Sequence, residues 1–283
     1  MLDLRPPTVA GVTWKSVDIA QVDQLVEATR GANAVYHLAA VSDVNIAYKD
    51  PLGCVDANIR GTANVLEAAR VNKGLRVIFA STVWVYQASP ESAPSEASPL
   101  APDRCGHLYT ASKIAGEMLC HSYHQLYDVP FTILRYGIPY GPFMRQSLLI
   151  PVLVKKAMAG EPLSINGDGS QYRRFIYVED LARGNVAALA PQAENQTYNL
   201  EGMQKITVLD LAKALDRILG GVEFKFEPAR PGDLKGVEVD SRKALAELGW
   251  QPQVPFEEGL RRTVAWLMTL RQSQTVPMQP ASR

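Results

Sequence analysis

The chain has 283 residues, room for one large domain or two of ordinary size, and its 47% hydrophobic content is enough to build a core. Lys plus Arg and Asp plus Glu number 29 each, so no net field draws in nucleic acid or an anionic membrane, and any anion site must be local. Cys54, Cys105 and Cys120 lack CxxC spacing or His-rich company, which excludes a disulfide scaffold and a zinc site and reads as reduced thiols.

In chain order, the first feature is Asp3, an aspartate closing a short apolar run. In a dinucleotide-binding fold such a residue holds the adenosine ribose, about 20 residues after a glycine-rich turn. "AVYHLAA" (34 to 40) reads as a buried strand, and Asp50-Pro51 supplies a cap and first-turn proline for a helix running to about Val71. "RVIFAST" (76 to 82) is the next strand. A Ser/Pro/Ala-rich loop then leads to a helix from about His107 to Tyr127 and the strand "FTILRYG" (131 to 137). Strand and helix alternating in this way, with β-branched apolar strands, predict a parallel sheet covered on both faces.

Beyond Pro142 the order changes, with helices near 147 to 159, 179 to 190, 207 to 219, 241 to 248 and 256 to 270, and a Gly-rich turn "NGDGSQ". That half predicts a smaller α/β cap. "GDGSQ" joins no buried strand directly to a helix, so it reads as a turn and not a phosphate loop. The polar, proline-containing end, 272 to 283, predicts a disordered tail. No apolar run approaches the roughly 20 residues of a membrane span, and the opening stretch lacks the basic start and apolar centre of a signal peptide. A soluble, cytoplasmic protein is the expectation.

"HLYTASKIAGEM" sets Tyr109 and Lys113 four residues apart at the start of a helix, hence on one face. A tyrosine titrates near pH 10 in water, so a general base near neutrality needs its phenolate stabilised, and a neighbouring ammonium does that. Taken alone, the pair is an exposed helix pair. Ser81 and Thr82 end the strand "RVIFAST", where a hydroxyl faces the same crevice as the Tyr109 helix. Hydroxyl, phenol and ammonium together are the set that takes a proton from a sugar or alcohol hydroxyl while a nicotinamide takes the hydride. Thr82 alone reads as a strand-end cap. His37, mid-strand among apolar neighbours, reads as a packed core histidine. His107, His121 and His124 lack the carboxylates or cysteines of a metal site, and no metal is implied.

These residues resemble the extended short-chain dehydrogenase/reductases, in particular the NAD-dependent nucleotide-sugar epimerases and dehydratases typified by UDP-glucose 4-epimerase. The resemblance runs from about Asp3 to about Trp266. It rests on "HLAA" (37 to 40), "NIRGTANVLEAA" (58 to 69), "FASTVWVY" (79 to 86), "YTASK" (109 to 113), "LRYGIPYGP" (134 to 142), "GDGSQYRRFIYVEDLA" (167 to 182) and "RPGD" (230 to 233). It implies an α/β fold: a Rossmann-type doubly wound parallel sheet in a dinucleotide-binding domain over 1 to 142, with about 175 to 202 returning to it, and a substrate-binding cap over 143 to 271.

The resemblance further implies that Tyr109 is the catalytic base and that Lys113 is its electrostatic partner and a ligand of the nicotinamide ribose. Thr82 becomes the hydroxyl bridging substrate and tyrosine. NAD is the implied cofactor, with Asp3 on the ribose, Asp18 and Ile19 near the adenine, and Ala39, Ala40 and Asn58 along it. Ser81, Arg173, Arg230 and Asp233 fall to the nucleotide-sugar substrate, the two arginines gripping its diphosphate, for which a guanidinium fork is well suited. Relatives form homodimers through a four-helix bundle, which helices at about 51 to 71 and 107 to 127 would supply.

Three departures from the family pattern stand out. The family opens with a strand and a GxxGxxG turn that binds the pyrophosphate, and this sequence starts after them, so roughly 30 residues of the pattern are wanting. Two readings stand open: a longer natural protein, or a truncated relative that holds NAD weakly. Loss of the first strand predicts exposed apolar faces on its neighbours and poor stability. Asp3 favours NAD over NADP, although Arg5 follows it. Secondly, dehydratases carry an Asp-Glu pair directly after the strand-end threonine, where this chain has Val83 and Trp84, so dehydration is disfavoured. Thirdly, Ile138 stands where many relatives have a substrate-binding asparagine. The expected function is therefore an NAD-dependent epimerase of a nucleotide-activated sugar acting through a transient keto intermediate. The alternatives are a one-way NAD(P)-dependent reductase or dehydrogenase, and a non-catalytic relative that binds a nucleotide or a partner subunit.

Overall fold

The computed structural model describes residues 1–228, 236 and 238–275. The chain opens with β1 (Leu2–Asp3) and β2 (Lys15–Ser16), a short parallel pair, followed by α1 (Val22–Ala28) and β3 (Ala34–His37). Two short helices come next, α2 (Val44–Lys49) and α3 (Pro51–Val55). Each begins at an aspartate whose carboxylate accepts first-turn amides: Asp43 from Asn45 and Ile46, Asp50 from Gly53 with Pro51 in the first turn. The Asp50-Pro51 start read from the sequence is thus in place, but the single helix expected to Val71 is not. A π-helical turn at Asp56–Arg60 separates α3 from α4 (Gly61–Val71).

β4 (Arg76–Thr82) is buried at every position, as expected of a strand covered on both faces, and runs into a 3-10 turn at Val83–Tyr86. α5 (Leu108–Tyr127) ends on Asp128 in the left-handed region at φ 56°, a conformation aspartate tolerates. Then follow β5 (Phe131–Tyr136), β6 (Ile138–Tyr140), α6 (Leu149–Met158), β7 (Leu163–Asn166), β8 (Tyr172–Arg173), β9 (Phe175–Tyr177) and α7 (Val178–Ala187). The described chain closes with β10 (Gln196–Leu200), β11 (Ile206–Thr207), α8 (Val208–Leu219), β12 (Phe224–Glu227), α9 (Arg242–Leu248) and α10 (Phe256–Thr275).

The described residues fall into two compact units. The first takes Met1–Tyr136, Gly184–Leu200 and Val237–Trp250, and the second takes the remainder. In the first, four parallel strands lie in the order β10-β5-β4-β3, joined by helical crossovers. Leu66, Leu75, Val77, Phe79, Phe131 and Ile133 form its core. Among the described residues β3 pairs with β4 alone, and Tyr36 and Leu38 beside that edge are 37% and 57% exposed. The second unit packs α6, α8 and α10 with three two-stranded pairings, β6-β9, β7-β12 and β8-β11, around Tyr140, Ile150, Leu163, Leu211 and Leu260.

Strand pairing sets the division. β10 pairs with β5 along its length, Gln196 opposite Thr132 through Leu200 opposite Tyr136, which returns Gly184–Leu200 to the first unit. Within the stretch 175 to 202 assigned to that return from sequence, Phe175–Tyr177 instead pairs with Ile138–Tyr140 in the second unit, and that unit begins at Gly137 instead of 143. The tail reading also needs correction. α10 runs on to Thr275, because Arg271 to Thr275 continue the helix without a break, whereas 276–283 lie outside the described residues.

Candidate functional site

Lys113 is 4% exposed at the start of α5, a position that strips its ammonium of water. Its Nζ donates to the Ala80 carbonyl on β4 at 2.7 Å and stands 4.9 Å from the centre of the Phe79 ring. Burial pushes its pKa down to about 8, against the opposing pull of the Cys120, Glu117 and Cys54 side chains. Tyr109, one turn earlier on the same face, is half-buried, and its carbonyl accepts from Ser112 Oγ at 2.8 Å. α5 can lie this close to the strand because Gly116 packs its Cα against the Phe79 ring, where any Cβ would collide.

Thr82, 4% exposed at the end of β4, accepts the Trp84 amide at 3.3 Å and so caps the Val83–Tyr86 turn. It fills the strand-end cap role considered for it, and its own hydroxyl proton remains available to a ligand. Val83 goes into a small apolar cluster with Val85, Tyr86 and Ile114. Trp84 is half-buried, edge-on to the His107 ring at 5.9 Å. Neither position carries an acid.

Ser81, 3% exposed, donates its hydroxyl to Glu117 Oε1 on α5, so the alternation along β4 points it into the layer under the helix. Asn58 is likewise saturated. Its Oδ1 accepts the Val41 amide at 2.7 Å, and its Nδ2 donates to Val41 O at 3.0 Å, Ser112 Oγ at 2.8 Å and Cys54 Sγ at 3.5 Å. It clamps the loop after β3, where Ala39 is exposed and Ala40 half-buried, to α5. Asp18 accepts the Ala20 amide at 2.9 Å ahead of α1, and the Ile19 carbonyl accepts from Asn64 Nδ2 at 2.8 Å. The Asp3 carboxylate accepts the Arg5 amide at 2.9 Å and is exposed, at the end of β1.

The structure thus assembles Thr82, Tyr109, Lys113 and Asn58 around the ends of β4 and α5. In the second unit Arg173 is half-buried in β8 and donates to the Tyr172 carbonyl at 2.8 Å, while Arg230 and Asp233 lie outside the described residues. His37 is the core histidine expected: 4% exposed, its Nε2 2.9 Å from Thr62 Oγ1, and held neutral because burial, then the Lys113 charge, push its pKa down to about 3.

The sequence reading missed a buried ionic cluster beside this site. Arg135 on β5 grips Glu117 at both oxygens, Nε to Oε1 at 3.0 Å and Nη2 to Oε2 at 2.6 Å, and also donates to the Tyr86 hydroxyl, which donates to Asn199 Oδ1 at 3.0 Å. Glu117 and Arg135 are 3% and 5% exposed. The signal was present: a glutamate on the apolar face of a helix and an arginine inside "FTILRYG" are each costly unless they meet.

The profile of the NAD dependent epimerase/dehydratase family matches residues 4–200. A UDP-glucuronate 4-epimerase from Thermodesulfobacterium geofontis is 34% identical over 84% of this chain and 73% of its own length. A dTDP-glucose 4,6-dehydratase from Haemophilus influenzae is 33% identical over 83% and 76%. Among solved structures, a UDP-glucuronic acid 4-epimerase from Bacillus cereus, crystallised with UDP-glucuronic acid and NAD, superposes with a TM-score of 0.83 at 32% identity, covering 93% of this chain and 83% of that one.

Proposed function

Because the chain belongs to the NAD dependent epimerase/dehydratase family, we propose that it is an NAD-dependent epimerase of a nucleotide-activated sugar, working through a transient ketone of the sugar. The observation that carries this is the buried ammonium of Lys113 on the same helical face as Tyr109, at the end of the strand that presents Thr82. Tyr109 takes the proton from the sugar hydroxyl, and the Lys113 charge stabilises the phenolate that makes it a base. The Thr82 hydroxyl bridges the sugar oxygen and Tyr109.

The donor set suits NAD. An ammonium has three N–H donors, and one of Lys113's is placed on Ala80 O, which leaves two for the hydroxyls of a ribose. Asp3, Asp18, Ile19, Ala39 and Ala40 would line the remainder of the cofactor, with Asn58 acting through the Val41 backbone it clamps. When bound, NAD would supply a reversible acceptor for the hydride of the carbinol. Arg173, with Arg230 and Asp233, is assigned to the diphosphate side of the substrate, where a guanidinium matches phosphate oxygens.

Val83 and Trp84, standing where an acid pair would serve elimination, favour epimerisation over dehydration. We also assign a cytoplasmic setting and a homodimer. No helix among the described residues is long and apolar enough to cross a membrane, and α2, α3 and α5 expose Tyr48, Leu52, Met118 and Leu126.

The test offers UDP-glucuronate, UDP-glucose, UDP-N-acetylglucosamine and dTDP-glucose to the protein with NAD. One of them is converted to its epimer without net NADH. Tyr109→Phe lowers that turnover by about 10²–10⁴-fold while sugar-nucleotide binding, measured by calorimetry, stays within a few-fold. Stoichiometric NADH would indicate a one-way dehydrogenase, and parallel loss of binding and turnover would remove Tyr109 from the role of base.

A further inference from the structure

Lys113 is a buried cation whose hydrogen bond goes to a neutral carbonyl, and something has to hold its charge. The groups around it come from four elements. His37 on β3 is neutral, for burial and the neighbouring ammonium push its pKa down to about 3. Cys54 on α3 and Cys120 on α5 are thiols that burial pushes upward, so neither is ionised near neutrality. β4 offers the Ala80 carbonyl and the Phe79 ring. That leaves Glu117, one turn past Lys113 on α5 as Tyr109 is one turn before it, and salt-bridged to Arg135 as a carboxylate. The same carboxylate accepts the Ser81 hydroxyl from β4, so Glu117 ties α5 to both β4 and β5 at the level of the site.

We propose that Glu117 is a positioning residue: pinned by Arg135 and Ser81, its carboxylate keeps Lys113 charged and fixes the helix that carries Tyr109 against the strand that carries Thr82. Placement and charge have separate effects. Ser81 and the bidentate guanidinium fix where the carboxylate sits, and the carboxylate's own charge opposes the cost of burying the ammonium. Arg135 grips both oxygens of Glu117 from β5, which holds the carboxylate in place one helical turn past Lys113. The consequence for turnover rests on the function proposed above, while the effect on Lys113 does not.

The experiment follows the 13C resonance of the Lys113 Cε through a pH titration of the full chain, identified by its loss in Lys113→Arg. In Glu117→Gln the midpoint for Lys113 falls by about one unit, and the alkaline limb of kcat moves down with it. A residue that only braced the fold would lower the melting temperature and leave the midpoint where it is, and an unmoved or raised midpoint overturns the proposal. Should Glu117→Gln not fold, Glu117→Gln with Arg135→Met removes both charges and leaves no unpaired ion. The midpoint must fall in that variant too, and its failure to do so is equally fatal. A wild-type chain that epimerises none of the four sugars, with the Lys113 shift intact, would defeat the functional reading and leave this one standing. Turnover with no shift would do the reverse.

Discussion

His37 on β3 and Lys113 on α5 are both buried bases, and their depressed affinities for protons act in different pH windows. For His37 the folded state binds fewer protons than the unfolded chain between about 3 and the ordinary 6.5, so its contribution to stability is present above 6.5 and drains away as pH falls. From pH 7 to pH 5 this amounts to about 2 kcal/mol from one site. His37→Gln, which retains an amide for Thr62, should lose about that much less than wild type over the same interval in urea unfolding, and equal losses would show that His37 is already protonated or already exposed. Lys113 acts at the other end. Its proton leaves as pH rises through about 8, so a turnover that needs the ammonium beside Tyr109 should decline above that pH. At this scale the spacing of Tyr109 and Lys113 and the apolar setting of His37 were legible in the sequence. Glu117 and Arg135 each signalled a need for a partner, but that they pair with one another was not legible, because they lie 18 residues apart on different elements and only the packing of α5 on β5 joins them.

The approach of α5 to β4 is decided by the lack of a side chain at Gly116. A Cβ there would collide with the Phe79 ring, meeting Cε1 and Cε2 at 3.1 Å, and Phe79 is fully buried and has nowhere to turn. Gly116→Ala is expected to cost about 1–3 kcal/mol in chemical denaturation and to impair turnover by shifting Lys113. Gly61→Ala meets chiefly the Cδ1 of Ile19, a half-buried side chain with a rotamer to change, and should cost clearly less. A reversal of that order would mean the helix, and not the ring, gives way. Most of the elements themselves could be read from periodicity, including β4 residue for residue. The π turn at Asp56–Arg60 could not. Nothing local to that stretch signals it; it coincides with Asn58 bonding both backbone groups of Val41 and the Ser112 hydroxyl, two partners outside its own helix.

Each of the two units closes its own core, and the division between them follows strands that leave and return. Asp180, fully buried in the second unit, illustrates how a distant segment is recruited. Its two oxygens accept the Gln253 and Val254 amides at 2.8 and 3.0 Å, fixing a loop some seventy residues later in the chain. For the assembly, exposed Leu52 and Leu126 lead to a direct expectation. Sedimentation of the wild type gives a dimer, and Leu52→Asp with Leu126→Asp gives a folded monomer. A dimer that survives both changes would place the interface elsewhere.

What the sequence by itself determined was local: short-range periodicity, caps such as Asp50-Pro51, and two chemically matched residues one helical turn apart, all of which depend on neighbours within a few positions. What only the tertiary structure decided was long-range. It sent Phe175–Tyr177 to one unit and Gln196–Leu200 to the other, turned Ser81 inward to Glu117, and saturated Asn58 with Val41 and Ser112. The physical reason is that a strand or a polar side chain carries its hydrogen-bonding demand in its identity, whereas the partner that satisfies it is chosen by which distant segment the fold brings within 3 Å.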